Sequence, residues 1–580
     1  MRIPVVLAIL ILLLPLASAC KDIVVMNSAT SEDCNLFMKV RDPSRPGIQV
    51  LFMVDRGYEY TYPHPQKHYE ASYEIQHKLL GVATIGDVPP DIIKAGMLLS
   101  DADIAYGDAD SPTFWVNPTK RAWDDFDWLR YAAQTANNED EAVDKLEEVV
   151  AMHAPGVGEN LFVVGKNKAY VIEADAFHFV KEGVGDFAVM SNYPKELWHT
   201  RWLKKTIIAS NFDRVYEGTV KRWQTVRLGA LSGIKVTKIG NEWIVAKPVP
   251  VGEKVEIDKG KGAKVGDFYV HVDEITGNSA RIKVYYEYNA WEQKITDRLK
   301  EKYGRITVTD LMNLSRLHSG DLEGLRGMCE GEKKATMIFR IPCHDGVSMG
   351  WFAPDQCASI FVPVHICDTE IYEAYTSGEA ADIAISLLMK FGHGKLNVTT
   401  MERVLVKENE RMEDIALGRM SQAADILTLV DVEMQKQAIL MQKLYLNVEG
   451  EELEELNHIW SIDYYETVCN IEHNISRFGD YGQEQLAAMA LSMGRARAGV
   501  KSMVNGSNAL KDYNRAEALI SEGHYREGIT VIKHIFEDTD RSLFGVTHEK
   551  EQDLSEWAIL LGSAMVIMAI IGVLFWRSKR

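Results

Sequence analysis

A cysteine at position 20 has more ways to do chemistry than any other residue in this chain. It follows a short positive start at Met1-Arg2, an apolar run, and Ala17-Ser18-Ala19, the order of parts in a cleavable secretory signal. Cutting after Ala19 would leave Cys20 with a free α-amine beside its thiol. Thiols titrate near ~8.5 and α-amines near ~7.7–8. The neutral amine can therefore take the thiol proton and later hand it to a leaving amine, which puts nucleophile and base on one residue. While residues 1–19 remain attached, that nitrogen sits in a peptide bond and the site is expected to be masked.

Other readings of the same residues stay open. Ala17-Ser18-Ala19-Cys20 loosely follows the pattern of a lipid-attachment site, and acylation would remove the base. Cys20 could also be a disulfide partner, for example of Cys34. The chain has seven cysteines (Cys20, Cys34, Cys329, Cys343, Cys357, Cys367, Cys469), so one free thiol leaves six able to pair. None shows Cys-x-x-Cys spacing, and no metal or organic cofactor is expected. Arg41-Asp42 taken alone reads as a surface ion pair. Asn192, in Ser191-Asn192-Tyr193-Pro194, taken alone suits a turn. Asp101, Asp103, Asp108 and Asp110 lack the glycine and terminal glutamate of an EF-hand loop, which favours a solvated loop over a calcium site.

Short apolar, β-branched runs at 23–26, 36–40, 48–54, 161–164, 169–173 and 187–190 predict strands. Helices are predicted over 90–99, 123–136 and 139–152, the last with apolar residues at helical spacing. The predicted fold class is α+β, two packed sheets with helices outside. The expected domains are a leader (1–19), a hydrolase domain in two parts (20–231 and 291–395) split by a β-rich insertion (232–290), and a helical domain (396–552). Pro248 and Pro250 are expected to close a strand that starts at Trp243. The helical region reads as a small bundle, a stalk or spacer before an anchor or a surface for an unidentified protein partner.

The ordered set Cys20-Lys-Asp-Ile-Val-Val, Asn35-Leu-Phe-Met-Lys-Val-Arg-Asp42, Asn160-Leu-Phe-Val-Val-Gly, Ser191-Asn-Tyr-Pro194, Trp351-Phe-Ala-Pro354 and Ser359-Ile-Phe-Val-Pro-Val-His365 resembles the dipeptidase A family of secreted cysteine peptidases. That family is related to bile-salt hydrolases and penicillin V acylases. The resemblance covers roughly residues 20–375 and implies an αββα sandwich with Cys20 as nucleophile and base. It implies Asn192 as an oxyanion donor and Arg41 and Asp42 as contacts of the nucleophile. It also implies Asp108 or Asp110 on the substrate side and Arg227 as a later arginine of the site. Relatives show Arg-x-x-Asp where this chain has Lys39-x-x-Asp42, so the cation facing Cys20 could be Lys39 or Arg41. The implied activity is hydrolysis of small peptides; an amidase or acyltransferase on N-acyl compounds and a non-catalytic binding protein are the alternatives.

Sixty-four Lys and Arg against 83 Asp and Glu give a net charge of −19, which argues against a nucleic-acid partner. Residues 557–576 are uncharged, end in Trp576 and precede Arg577, Lys579 and Arg580. At 1.5 Å per residue they match a hydrocarbon core of roughly 30 Å with the positive end inside. The expected location is the cell membrane, single-pass, with most of the chain outside.

Overall fold

The computed structural model describes residues 20–41, 47–87, 93–111, 113, 115–197, 215–229, 232–329, 335–396, 398–506 and 508–548. The predicted leader, Asp42 and the predicted membrane span lie outside them. Among the described residues no helix is long and apolar enough to cross a membrane.

Two antiparallel sheets stack face to face. The first has six strands in the order Phe187–Met190, Lys21–Val25, Cys34–Arg41, Ala335–Pro342, Met349–Ala353 and Val362–His365. The second has seven, in the order Phe179–Gly183, Ala169–Ala174, Gly158–Val164, Ile104–Ser111, Ala95–Ser100, Leu79–Thr84 and Gln49–Val54. Alternation along the second sheet assigns each residue to a layer, as a side-chain period of two requires. Leu51, Met97, Leu99, Ala105 and Phe162 join the core shared with the first sheet. Their neighbours Phe52, Leu98, Tyr106, Leu161 and Val163 turn outward onto the helices Asp125–Ala133 and Glu139–Ala151. Phe37 marks the seam between sheets, stacked on Phe162 at 5.5 Å and on Phe339 at 6.0 Å. Helices Glu287–Glu301 and Val308–Ser315 cover the outer face of the first sheet, so the sandwich has the helix–sheet–sheet–helix order expected.

Four expectations change. Residues 90–99 do not form one helix: Ala95–Ser100 is a strand paired on both sides. It is buried on both faces, so its apolar run carries no period-two signal. The β-rich segment starts earlier than residue 232, running from Tyr216 to Tyr286 as two four-stranded sheets with a core of their own. Pro248 lies inside the strand Trp243–Val249, opposite Ile234. The neighbouring strand on its other side pairs only with Trp243 to Ala246, so the missing proline N–H breaks no bond there. The helices from Thr399–Leu417 to Tyr525–Phe544 are not a detached stalk. Ala423–Asn447 packs on strand Val362–His365, and its apolar residues share one core with the first sheet.

Candidate active site

Cys20 stands one residue before the strand Lys21–Val25 and is 8% exposed. That strand pairs on one side with Cys34–Arg41 (Lys21 opposite Val40) and on the other with Phe187–Met190 (Asp22 opposite Met190). Carried on in both directions, the register aligns Cys20 with Arg41 and with Asn192. Three residues separated widely in sequence thus meet at one sheet end because the strands that carry them are neighbours.

Lys39, two residues before Arg41 on its strand, points into the space between the sheets. Its ammonium lies 2.5 Å from the Asp108 carboxylate and also donates to the Asp108 carbonyl. Glycines leave room here: a Cβ at Gly107 would strike Phe37 at 2.4 Å, and one at Gly96 would meet the Asp108 carboxylate at 2.7 Å. Burial alone would lower the Lys39 ammonium, but the charges of Asp108, Cys20 and Asp22 outweigh it and push it up. Lys39 is therefore held as a cation, and Cys20 is among the charges it senses. Arg41 donates to the Gln49 side chain and lies 4.9 Å from the centre of the Phe126 ring. Gln49 is itself fixed by a 3.0 Å bond to Thr84.

Asn192 is placed by its surroundings. Asn160 donates to the Ser191 carbonyl at 2.7 Å, and Tyr288 donates to the Tyr193 carbonyl at 3.1 Å. Glu173 receives the backbone N–H groups of Lys195 (2.5 Å) and Leu197 (2.6 Å), anchoring the chain just past the turn. Asn192 donates one N–H to the Asp110 carbonyl at 2.7 Å. A carboxamide has two N–H bonds, so a second remains for an oxyanion.

Acidic groups crowd the same end. Asp110 lies directly opposite Glu159 across the strand pair, and one carboxylate oxygen from each of Asp110, Asp125 and Glu159 falls within a 4.8 Å cluster. Like charges directly opposite in a sheet repel. Burial, then the neighbouring carboxylates, push Glu159 and Asp125 well above the usual carboxyl range. Glu159 is fully buried, and no donor among the described residues reaches either of its oxygens. Asp22 is also buried without a donor, and burial raises it too. A site of this kind can take up a cationic group, an ammonium or a hard metal ion.

Cys20, Asn192, Arg41, Asp108 and Asp110 thus come to one end of the sandwich. Asp42 is outside the described residues. Arg227 is exposed in strand Thr225–Arg227 of the β-rich module, whose core is separate from that of the sandwich. Sequence reasoning missed Asp22, Asp125 and Glu159. Asp125 had an adequate local reason as a first-turn acid of a helix capped by Asp124. Glu159, next to the Asn160-Leu-Phe motif, shows its strangeness only once it is seen to be buried. A separate cavity of about 380 Å³ beside Phe187–Met190, lined by Val171, Glu173, Val189 and Lys195, does not include Cys20.

Of the six cysteines other than Cys20, which could all pair, Cys329 and Cys357 are joined, and Cys34, Cys343, Cys367 and Cys469 carry free thiols.

No family model matches the chain, and no curated protein matches it. Among solved structures it is similar to a variant of conjugated bile acid hydrolase from Clostridium perfringens, at 11% identity and TM-score 0.33, over 60% of this chain and 92% of that one. It is similar also to penicillin V acylase from Agrobacterium tumefaciens, at 12% identity and TM-score 0.23, over 41% of this chain and 86% of that one.

Proposed function

We propose that this chain is a hydrolase of amide bonds that becomes active when residues 1–19 are removed, and that it acts on small peptides. What supports the reading is the register that, carried on, brings Cys20 into line with Arg41 and Asn192, with the buried Lys39 ammonium on the neighbouring strand.

The freed α-amine of Cys20 takes the thiol proton, and the thiolate attacks the scissile carbonyl. The Lys39 ammonium favours the thiolate by charge. The second N–H of Asn192 faces the oxyanion that forms. As the tetrahedral intermediate collapses, the α-ammonium gives its proton to the leaving amine and a thioester remains. Water then adds, with the α-amine as base, and releases the acid and the free thiol. Arg41 and Asp42 orient the nucleophile in this reading.

A substrate with a free α-ammonium suits the acidic end formed by Asp110, Asp125 and Glu159. An N-acyl substrate, neutral or anionic there, would find no partner for those carboxylates, and this favours a dipeptidase over an N-acyl amidase. The reading also puts the chain outside the cell, held by residues 557–576. The test is hydrolysis of a dipeptide panel and of the same dipeptides N-acetylated, by the mature chain and by Cys20→Ala. Cleavage of free dipeptides that disappears in Cys20→Ala supports the proposal; undiminished cleavage by Cys20→Ala overturns it.

A further inference from the structure

Away from Cys20, four side chains from four segments converge. His318 precedes the turn Ser319–Leu322, and Cys329 lies shortly after it. Cys357 sits in the turn that follows strand Met349–Ala353, and His393 follows helix Glu379–Phe391. Their potential ligand atoms all lie within 4.8 Å of one another. We propose that His318, Cys329, Cys357 and His393 hold a zinc ion, with both sulfurs as thiolates.

The two sulfur–nitrogen distances match the chemistry. With Zn–S of ~2.3 Å and Zn–N of ~2.0–2.1 Å at tetrahedral angles, a sulfur and a nitrogen on one zinc are about 3.5 Å apart. Cys357 Sγ lies 3.4 Å from His318 Nε2, and Cys329 Sγ lies 3.8 Å from His393 Nδ1. The two imidazole rings meet at 68° with centres 5.7 Å apart, so they approach from different directions and do not stack. Two thiolates, two neutral imidazoles and Zn²⁺ sum to zero charge, which suits a place where both cysteines are almost wholly buried. His393, exposed at the rim, leaves a path by which an ion enters.

The support around the four ligands is specific. Asp355 receives the N–H groups of Cys357 (2.9 Å) and Ala358 (3.1 Å), which sets the Cys357 turn. Gln356 spans the Ser315 and Met328 carbonyls at 3.4 Å each, tying that turn to the Cys329 segment. The structure joins the two sulfurs as a disulfide. A disulfide cross-links those two segments without needing any imidazole, whereas zinc uses all four groups and also ties in the end of helix Glu379–Phe391. The inference does not depend on the chemistry of Cys20.

The test is metal analysis of the full chain purified without chelator, with peptide mass mapping of Cys329 and Cys357. The proposal expects about one zinc per chain and two unlinked thiols once a chelator strips it. His318→Gln with His393→Gln leaves both cysteines in place and should lose the zinc, whereas Cys367→Ser should keep it. Cobalt substituted for zinc should give the visible absorption of a tetrahedral site with sulfur ligands. A zinc-free chain with Cys329 and Cys357 linked overturns the proposal, as does zinc that survives the double histidine variant.

Discussion

Lys39 reaches across the seam between the two sheets to Asp108, 2.5 Å from its carboxylate, and both side chains are almost wholly buried. The pair joins the strand that faces Cys20 to the strand that bears the acidic end. Removing one member would leave the other charged and buried, at about 3–5 kcal/mol. Lys39→Ala should therefore lower the melting temperature and also slow alkylation of Cys20 in the mature chain. Lys39→Arg should restore more of both than Lys39→Met. Thermal unfolding together with iodoacetamide labelling rates checks this; equal behaviour of the arginine and methionine variants would count against a role for the charge.

Arg41 and Lys39 compete in sequence for the place beside the nucleophile, and the structure gives them different partners. Arg41 is bound to Gln49 and rests on Phe126. Arg41→Ala should depress the Cys20 alkylation rate less than Lys39→Ala does. The same labelling series measures both, and a larger effect at Arg41 would reverse the assignment.

Asn192 should act on the transition state more than on binding. Loss of one oxyanion donor typically costs ~10²–10³ in kcat. Asn192→Ala is expected to lose about that much in kcat with KM little changed, measured on the dipeptide the mature chain cleaves best. A loss confined to KM would make Asn192 a binding residue.

The acidic end makes a selective prediction. Glu159→Gln and Asp110→Asn should raise KM for dipeptides with a free amine and leave KM for their N-acetyl forms unchanged. Steady-state kinetics on the paired substrates reads this directly, and an equal shift in both series would remove the ammonium from the account.

The joint between sandwich and helices should respond to pH. Asp431, on helix Ala423–Asn447, accepts from the His365 backbone (2.9 Å) and from Asn409 (3.0 Å), shares a 2.7 Å hydrogen bond with the His365 ring, and lies beside Asp368. Burial pushes its carboxyl up to about 7, against an opposing pull from hydrogen bonds with Asp368, the His365 backbone and Asn409. Burial, and then Asp431, also raise Asp368 well above the usual range. The raised group holds a proton in the folded chain that the unfolded chain releases. Its contribution is therefore fully present below the ordinary carboxyl range near 3.8 and is lost as pH rises through about 7. Melting temperature should fall across that window, and Asp431→Asn should flatten the fall. An unchanged slope in the variant would show that the joint does not titrate.

Legibility in sequence followed the range of the interactions. Strands such as Cys34–Arg41 and helices such as Glu139–Ala151 were readable because their patterns are local. Ala95–Ser100 was not, because a strand buried on both faces has no alternation. Cys20 was visible from the leader before it, and Asn192 from its turn. Glu159 and Asp125 became meaningful only when register and packing set them against Asp110. The histidine and cysteine cluster was invisible for the same reason: its members come from four segments without motif spacing.

The most direct test of the central claim is mass analysis of the first peptide of the mature chain after alkylation of free thiols. The account predicts a chain that begins at Cys20, with its α-amine unmodified and its thiol alkylated. A chain still carrying residues 1–19, an acylated Cys20, or a Cys20 locked in a disulfide would contradict it.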